Sequence, residues 1–469
     1  MKVDTVIVGA GSAGLSALRE VRRYTDDFLL VNAGDWGTTC AAVGCMPSKA
    51  LIEAANAYHR RHAFPAFAIA GSDQLSIDIP AVLGRVRSLR DRFVGGVLKT
   101  TENLGERNIA GKACLLGPNR VDVNGQTYEA RRIIIATGSH PIVPAAWQDF
   151  SERILTTDNL FEQQDLPQRI AVIGLGVIGI EIAQALARLG LDITGFGTDA
   201  HLAGISDPTV NDRFAALLHQ EMTFHTRAEA RVSATAGGLH VSAPDQEIEV
   251  DAVLAAMGRR PNIDGLGLDK LGVELDQQGL PPVDPTTMRI ADLPVFFVGD
   301  VNSQVPLLHE AADEGHIAGR NATAHSCHCY QRRTPLSVVF SDPNVAIIGK
   351  PLNELDSGET LIGQVDFSNQ GRARTAEKNH GLLRIYTEKQ SGKLLGAEMC
   401  APAGEHMAHL LALAIQQQMT VRQLLGLPFY HPVLEEGLRS ALRDLASQLP
   451  EDHETDLATC GSFDCEALD

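Results

Sequence analysis

The chain has 469 residues, 44% of them hydrophobic, and carries 58 acidic against 40 basic side chains for a formal net charge of −18. That length exceeds what one core supports and predicts about three domains, while the apolar content excludes general disorder. The acidic balance leaves no basic face to neutralise phosphates, so a small molecule or another soluble protein is the expected partner and nucleic acid is not. No apolar stretch reaches the length of a membrane span, and "MKVDTVIVGAGSAG" runs straight into a strand pattern without an apolar leader. A soluble, cytoplasmic protein with no membrane contact is therefore expected. Eight cysteines do not make a disulfide scaffold in a chain of this size. In a reducing compartment a close pair of them points to catalysis or metal binding.

The first element is an apolar strand, Val6-Ile7-Val8, entering Gly9-Ala10-Gly11-Ser12-Ala13-Gly14 and then a helical pattern through Leu15, Leu18 and Val21. This is a dinucleotide fingerprint: glycines permit the tight turn and close backbone approach, and the helix N-terminus offers N–H groups and a positive dipole end to a pyrophosphate. The next strand, "FLLVN", would end in an acid that binds a ribose hydroxyl; it ends at Asn32, whose amide can make the same bond.

Next come Cys40 and Cys45, with Pro47-Ser48-Lys49 at the start of an apparent helix. In a regular helix, positions five apart have Cα atoms roughly 8 to 9 Å from each other. A disulfide needs about 4.4 to 6.8 Å. If the two bridge, the intervening turn is distorted, and Gly44 is the residue expected to allow it. Two buried apolar fillers are the competing reading.

A second fingerprint follows: strand Ile170 to Ile173, then Gly174-Leu175-Gly176-Val177-Ile178-Gly179 and another long helix. Two such motifs, each between a strand and a helix, predict two bound nucleotides. After the next strand Gly197 stands where an NAD-selecting acid would be, and no arginine pair is present to grip a 2′-phosphate. NADH and NADPH therefore both stay open. Further on, "HSCHCYQRR" groups His325, Cys327, His328 and Cys329. Without a distant second pair this is a weak zinc pattern, so a loop with soft side chains and no metal is expected. Cys114 and Cys400 lie in apolar, strand-like runs and are expected in the core. The acidic C-terminal stretch reads as a mobile tail and carries Cys460 and Cys465, at the same spacing as the first pair.

The order of these motifs resembles that of the FAD-containing pyridine nucleotide-disulfide oxidoreductases, over residues 1 to about 445. Between and after the fingerprints stand "IIIATGSHP", "AAMGRRPN", "VFFVGD", "VVFSDPNVAIIG" and "FYHPVLEEGL", in the family's sequence. The resemblance implies an α/β fold with two Rossmann-like dinucleotide-binding domains and a C-terminal α+β interface domain. Its implied boundaries are 1–150 and 265–334 for FAD, 151–264 for NAD(P), 335–449 for dimerisation, and 450–469 for the tail.

Carried over by motif, Gly9, Gly11, Gly14, Asn32 and Asp300 would hold FAD. Gly174, Gly176 and Gly179 would hold the nicotinamide nucleotide, and Thr39, Thr137, Gly138 and Gly258 complete the cofactor-binding set. Lys49 and Glu181 resemble the ion pair beside the flavin. Cys45 would face the flavin, Cys40 would exchange with substrate, and His431 of the other subunit in a homodimer would be the base, oriented by Glu436, with Glu435 as the nearest competitor.

The sequence departs from the family at Thr38, where glycine is usual before Thr39-Cys40, at Ala41-Ala42, where asparagine is common, and at Val433, where threonine is usual. The implied reaction passes electrons between NAD(P)H, FAD, the thiol pair and an external disulfide or dithiol, with lipoamide first among acceptors. A thioredoxin-reductase-like or mercuric-reductase-like enzyme using the tail dithiol is the alternative, although His431 speaks against the latter. A non-catalytic flavoprotein binding subunit is the reading from another class.

Overall fold

Runs of Val, Ile, Leu and Phe buried on both faces build the strands of the first unit, which comprises Met1–Ala55, Ser76–Gly174 and Ala230–Arg332. Such two-sided burial is the pattern of a parallel sheet covered by helices. In this computed structural model, which describes residues 1–450, seven strands form the main sheet of that unit. Its order is Asn108–Ala110, Phe28–Asn32, Lys2–Val8, Gln126–Ile135, Arg120–Val123, Ala113–Gly117, with Val295–Phe297 also paired to Gln126–Ile135.

Parallel register sets Val8 beside both Val31 and Ile135, and Ile135 beside Phe297. The carboxyl ends of four strands are thus abreast, and the loops that follow them open on one edge, where ligands bind in such sheets. In the same unit Ile154–Leu155, Ala252–Ala255 and Arg169–Ile173 run parallel, with Ile173 beside Ala255. Gly174 and Gly258 follow that second edge.

The second unit comprises residues 56–75, 175–229 and 333 onward. It holds helix Val177–Arg188, the parallel strands Asp192–Phe196 and Thr223–His225, and a five-stranded antiparallel sheet. That sheet is ordered Leu336–Val339, Asn344–Gly349, Leu394–Ala401, Leu382–Glu388, Thr360–Asp366. Helix Glu436–Ala446 buries Leu438, Ala441, Leu442 and Leu445, spaced i, i+3, i+4, i+7, in one cluster with Phe367, Leu383, Ile385 and Met399. Each buried leucine contributes about 1.5–3 kcal/mol, which fixes the helix behind the loop that carries His431.

A charged core also lies in this unit. Arg188 is 5% exposed and donates to Glu221 at 2.6 and 2.7 Å, to Asp342 at 3.0 Å and to Asn56 at 2.6 Å. Burial first, then the Arg188 charge, pushes the His59 imidazole down from 6.5 to about 4; His62 adds to the lowering, and Glu221 and Asp342 oppose it. His380 is lowered as well, again chiefly by burial. The folded imidazoles resist protons that the unfolded chain takes up near pH 6.5, so stability held above that pH is lost as pH falls toward 4. Because both rings are part exposed, the loss is on the order of 1 kcal/mol. Urea unfolding of the holoenzyme between pH 7 and 4 checks it: His59→Gln is expected to flatten the profile, and an unchanged profile refutes the assignment.

Cys400 is fully buried, as expected, but Cys114 is only half-buried in its strand, with its thiol toward the Leu115 carbonyl. Cys327 and Cys329 are exposed beyond helix Leu308–Thr323. Among the described residues no group of three His, Cys, Asp or Glu could hold a metal, and no helix is long and apolar enough to cross a membrane. Cys460 and Cys465 lie outside the described residues.

Candidate active site

The first fingerprint is shaped by contacts that only glycine tolerates. Gly9 has φ +107°, and a Cβ there would fall 2.2 Å from the Ala136 carbonyl oxygen; one on Gly14 would fall 1.9 Å from the Gly9 carbonyl oxygen. Gly174 repeats the first contact, with φ +104° and the Ala256 carbonyl oxygen at 2.2 Å. Gly11 and Gly176 differ: their φ values of −76° and −75° suit any residue, and a Cβ on either would meet nothing within 4 Å. Each caps a long helix with no side chain on its first N–H groups. A glycine required by neither backbone nor neighbours leaves clearance for a ligand, and the fit is to a pyrophosphate on a helix N-terminus. Gly179 is buried within helix Val177–Arg188.

Asn32 has a second task that the sequence did not announce. Its amide oxygen accepts the Ala10 N–H at 3.0 Å, and its amide nitrogen donates to the Asp35 carbonyl at 3.1 Å, so it ties the glycine-rich turn to the end of the second strand. Asp300 follows strand Val295–Phe297 on the same edge and accepts the Ser139 hydroxyl at 2.9 Å, while Arg259 donates to that hydroxyl at 2.8 Å. Thr137 donates to the Asn262 carbonyl at 2.8 Å. Gly138 and Gly258 adopt φ +69° and +100° where the two flanking segments cross.

Beneath Asp300 sits Glu314, 1% exposed, accepting the Gly299 N–H and the Asn302 amide, each at 2.7 Å. Burial raises its carboxyl, and Arg332 at 3.1 Å opposes that. Ser139, Arg259 and Glu314 escaped sequence reasoning. For Glu314 the available signal was an acid on the apolar face of its helix, in step with Ala311 and Ala318.

The thiol pair lies at a break between two helices, Thr39–Ala42 and Cys45–His59. The distortion falls at Val43, with φ −134° and ψ 0°. Gly44 allows the turn through the room it leaves and not through a positive φ: a Cβ there would stand 3.0 Å from the Thr39 carbonyl oxygen and 3.3 Å from the Cys40 Cα. Both cysteines are half-buried. Cys40 is held above the ordinary thiol range, first by its hydrogen bond with Cys45 and then by burial, while the Lys49 charge acts the other way. Cys45 opens a 15-residue helix, where free N–H groups and the dipole favour a thiolate. Thr39 is exposed and Lys49 half-buried, one turn beyond Cys45. In the second unit, Glu181 is 5% exposed and accepts the Phe340 N–H at 2.9 Å.

Thr38 bears the strain of this loop. Its φ of 62° and ψ of 142° belong to glycine's territory, and its hydroxyl accepts the Ala41 N–H at 3.2 Å. Such a backbone costs about 1–3 kcal/mol in a β-branched residue, whereas replacing a threonine cap by glycine costs only a few tenths. Thr38→Gly is therefore expected to stabilise the holoenzyme by about 1 kcal/mol in urea unfolding. A loss of stability would show the strain to be absent.

The expected base is built in the second unit. His431 Nδ1 lies 3.0 and 3.2 Å from the two carboxylate oxygens of Glu436, which also accepts the Val433 N–H at 3.2 Å. That hydrogen bond from His431 holds the Glu436 carboxyl below its usual range. Facing an ionised carboxylate, Nδ1 donates, leaving Nε2 free for proton transfer. Glu435 makes no bond to the imidazole. The amide at Val433 supplies a tie to Glu436 that does not depend on the missing threonine.

Gly197, the unsettled nucleotide position, has a packing reason: a Cβ there would press on Leu175 at 3.1 Å. The small residue thus accommodates the fingerprint's own leucine.

Residues 3–315 match the pyridine nucleotide-disulphide oxidoreductase family, and residues 336–442 match the dimerisation domain of the same family. The chain is 32% identical over 462 residues to a dihydrolipoyl dehydrogenase of Thermus scotoductus, covering 95% of this chain and 98% of that protein. It is 30% identical over 450 residues to one of Geobacillus stearothermophilus, covering 93% and 94%. Among solved structures, LpdA from Mycobacterium tuberculosis superposes with a TM-score of 0.83 at 25% identity, covering 94% of this chain and all of that one. The HOCl-induced flavoprotein disulfide reductase RclA of Escherichia coli shares the fold, with a TM-score of 0.81 at 19% identity over 94% and 99% of the two chains. The chain belongs to the FAD-dependent pyridine nucleotide-disulphide oxidoreductases, with two nucleotide-binding α/β domains, a dimerisation domain and activity on sulfur groups.

Proposed function

We propose that this protein is a dihydrolipoyl dehydrogenase, a homodimer in which Cys40 and Cys45 take electrons from dihydrolipoamide and pass them toward NAD(P). The observation that carries this reading is the likeness to dihydrolipoyl dehydrogenases along nearly the whole length of both chains. FAD, when bound, moves an electron pair between the thiol pair and the nicotinamide.

A substrate thiolate attacks the Cys40 sulfur of the Cys40–Cys45 disulfide, forming a mixed disulfide and releasing Cys45 as a thiolate. The second substrate thiol, deprotonated by His431, then attacks the substrate's own sulfur in that mixed disulfide. Lipoamide leaves with its ring closed, and Cys40 is released. His431 takes the first thiol's proton and passes it to the departing Cys40 sulfur, and the second thiol's proton stays on the imidazole. Glu436 steadies the protonated ring. Lys49 and Glu181 would, in this reading, supply the charges that tune the flavin when it is bound. The cofactor contacts are those of the two glycine-rich turns, Asn32, Thr39, Thr137, Gly138, Gly258 and Asp300.

Steady-state assays of the holoenzyme with dihydrolipoamide, oxidised glutathione, thioredoxin and mercuric ion test the proposal, each with NAD and NADP. Turnover fastest with dihydrolipoamide supports it. Turnover with thioredoxin or mercuric ion and none with dihydrolipoamide overturns it in favour of a tail-dependent reductase. No turnover with any acceptor would indicate a binding subunit.

A further inference from the structure

In the first unit, helix Leu308–Thr323 is followed by a loop that carries Cys327, His328 and Cys329, none of which the reaction above uses. One buried amide sets the path of that loop. Asn321 is 1% exposed; its oxygen accepts the His328 N–H at 2.9 Å, and its nitrogen donates to the His328 and Thr287 carbonyls, each at 3.1 Å. The Tyr330 N–H then donates to the Thr286 carbonyl at 3.0 Å. A residue that turns both its backbone groups to one partner is extended, as in a strand pair, and no bend or turn falls between Cys327 and Tyr330. Side chains alternate along such a segment, so Cys327 and Cys329 share a face. Both are exposed.

Two residues of extended chain span at most about 7 Å. Disulfides take Cα separations of about 4.4 to 6.8 Å, so a small contraction lets the two sulfurs bridge. A cation stands beside them. Arg132 is half-buried on strand Gln126–Ile135. Burial and then Arg131 lower its guanidinium, and Cys327 opposes them more strongly than Asp4 does. Asp4 is itself bonded to Arg131, and the nearby Arg289 is matched to Asp292 at 3.7 Å. A guanidinium placed against an exposed thiol can hold the carboxylate of a molecule that reacts there. We propose that Cys327 and Cys329 form a second disulfide-exchange site, for small disulfides whose ends carry carboxylates, with Arg132 as the carboxylate's anchor. The Cys327 thiolate attacks one sulfur of the external disulfide and expels half of it as a thiolate. Cys329, giving up its proton, attacks the Cys327 sulfur and expels the other half. The two cysteines are oxidised to one disulfide, the external disulfide is reduced to two thiols, and the two cysteine protons end on those thiols.

Peptide mass spectrometry tests this on residues 321–332, which trypsin releases as one piece bounded by Arg320 and Arg332. The full-length holoenzyme is reduced, exposed to oxidised glutathione or to the cationic disulfide cystamine, and alkylated. With oxidised glutathione the wild-type peptide is expected to lose two hydrogens as an internal disulfide, and Cys329→Ser is expected to trap the glutathione adduct on Cys327. In the Cys329→Ser background at low salt, Arg132→Gln is expected to slow that adduct about threefold, the worth of one surface ion pair, without slowing the reaction with cystamine. At high salt the two glutathione rates are expected to converge. A wild-type peptide that forms no internal disulfide, or a Cys329→Ser peptide without the adduct, overturns the site. Equal low-salt glutathione rates with and without Arg132, or an equal slowing of both reagents, overturn its preference for anions. Dithiol turnover at Cys40 and Cys45 is not read in this experiment, so the two proposals fail separately.

Discussion

Cys40→Ser is expected to lower dithiol–disulfide turnover by at least about 10³-fold while leaving reduction of the bound flavin by NAD(P)H intact. The asymmetry follows from the geometry. Cys45 opens the long helix, and Cys40 sits in the short helix before the break. The hydrogen bond that the Cys40 thiol donates to Cys45 and burial together hold Cys40 in its protonated form. A serine there keeps the volume and the local helix, but no two-electron exchange with a substrate thiol is possible through an alcohol. Stopped-flow absorbance separates the two half-reactions. Loss of the reductive half-reaction, or residual turnover within tenfold of wild type, would remove Cys40 from its proposed role.

How far this site could be read from the sequence depended on whether its parts carry their own local signature. The glycines at 9, 14 and 174 did, because backbone oxygens crowd the positions their Cβ atoms would occupy. Helix arithmetic also pointed to a break between Cys40 and Cys45 but not to the residue at which the backbone turns. Val43 bends the chain, and Gly44 matters for the room it leaves beside Cys40.

Other parts depend on partners remote in sequence. Glu314 reaches the Asp300 loop only because helix Leu308–Thr323 packs beneath it, and Asn32 closes on Ala10 across a turn that no motif describes. Gly197 is the instructive intermediate case. Its identity looked like missing nucleotide chemistry, and the neighbouring Leu175 supplies a steric reason in its place. Cys114 misled because an apolar run says that a strand is present, not which of its faces is covered.

Mixed dimers should show which subunit the histidine serves. The His431 imidazole is 82% exposed on its own chain and, among the described residues, bonded to Glu436, and the adjoining Tyr430 is 79% exposed. A base presented so far out from its own fold acts on something supplied from elsewhere, and the family's dimerisation domain provides that second surface. His431→Gln alone is expected to reduce kcat about 10²–10⁴-fold with KM little changed, since proton transfer is lost and binding is not. Glu436→Gln is expected to cost about 10–100-fold, because the amide still meets Nδ1 but no longer stabilises the charged ring.

Cys40→Ser and His431→Gln homodimers should each keep at most about 1% of wild-type turnover. When the two variants are co-expressed, random pairing makes about half of the dimers mixed. Each mixed dimer contains one site with the intact thiols of one subunit and the intact histidine of the other, restoring about a quarter of wild-type activity. If His431 served the thiols of its own subunit, every site in every dimer would lack one partner, and co-expression would restore nothing.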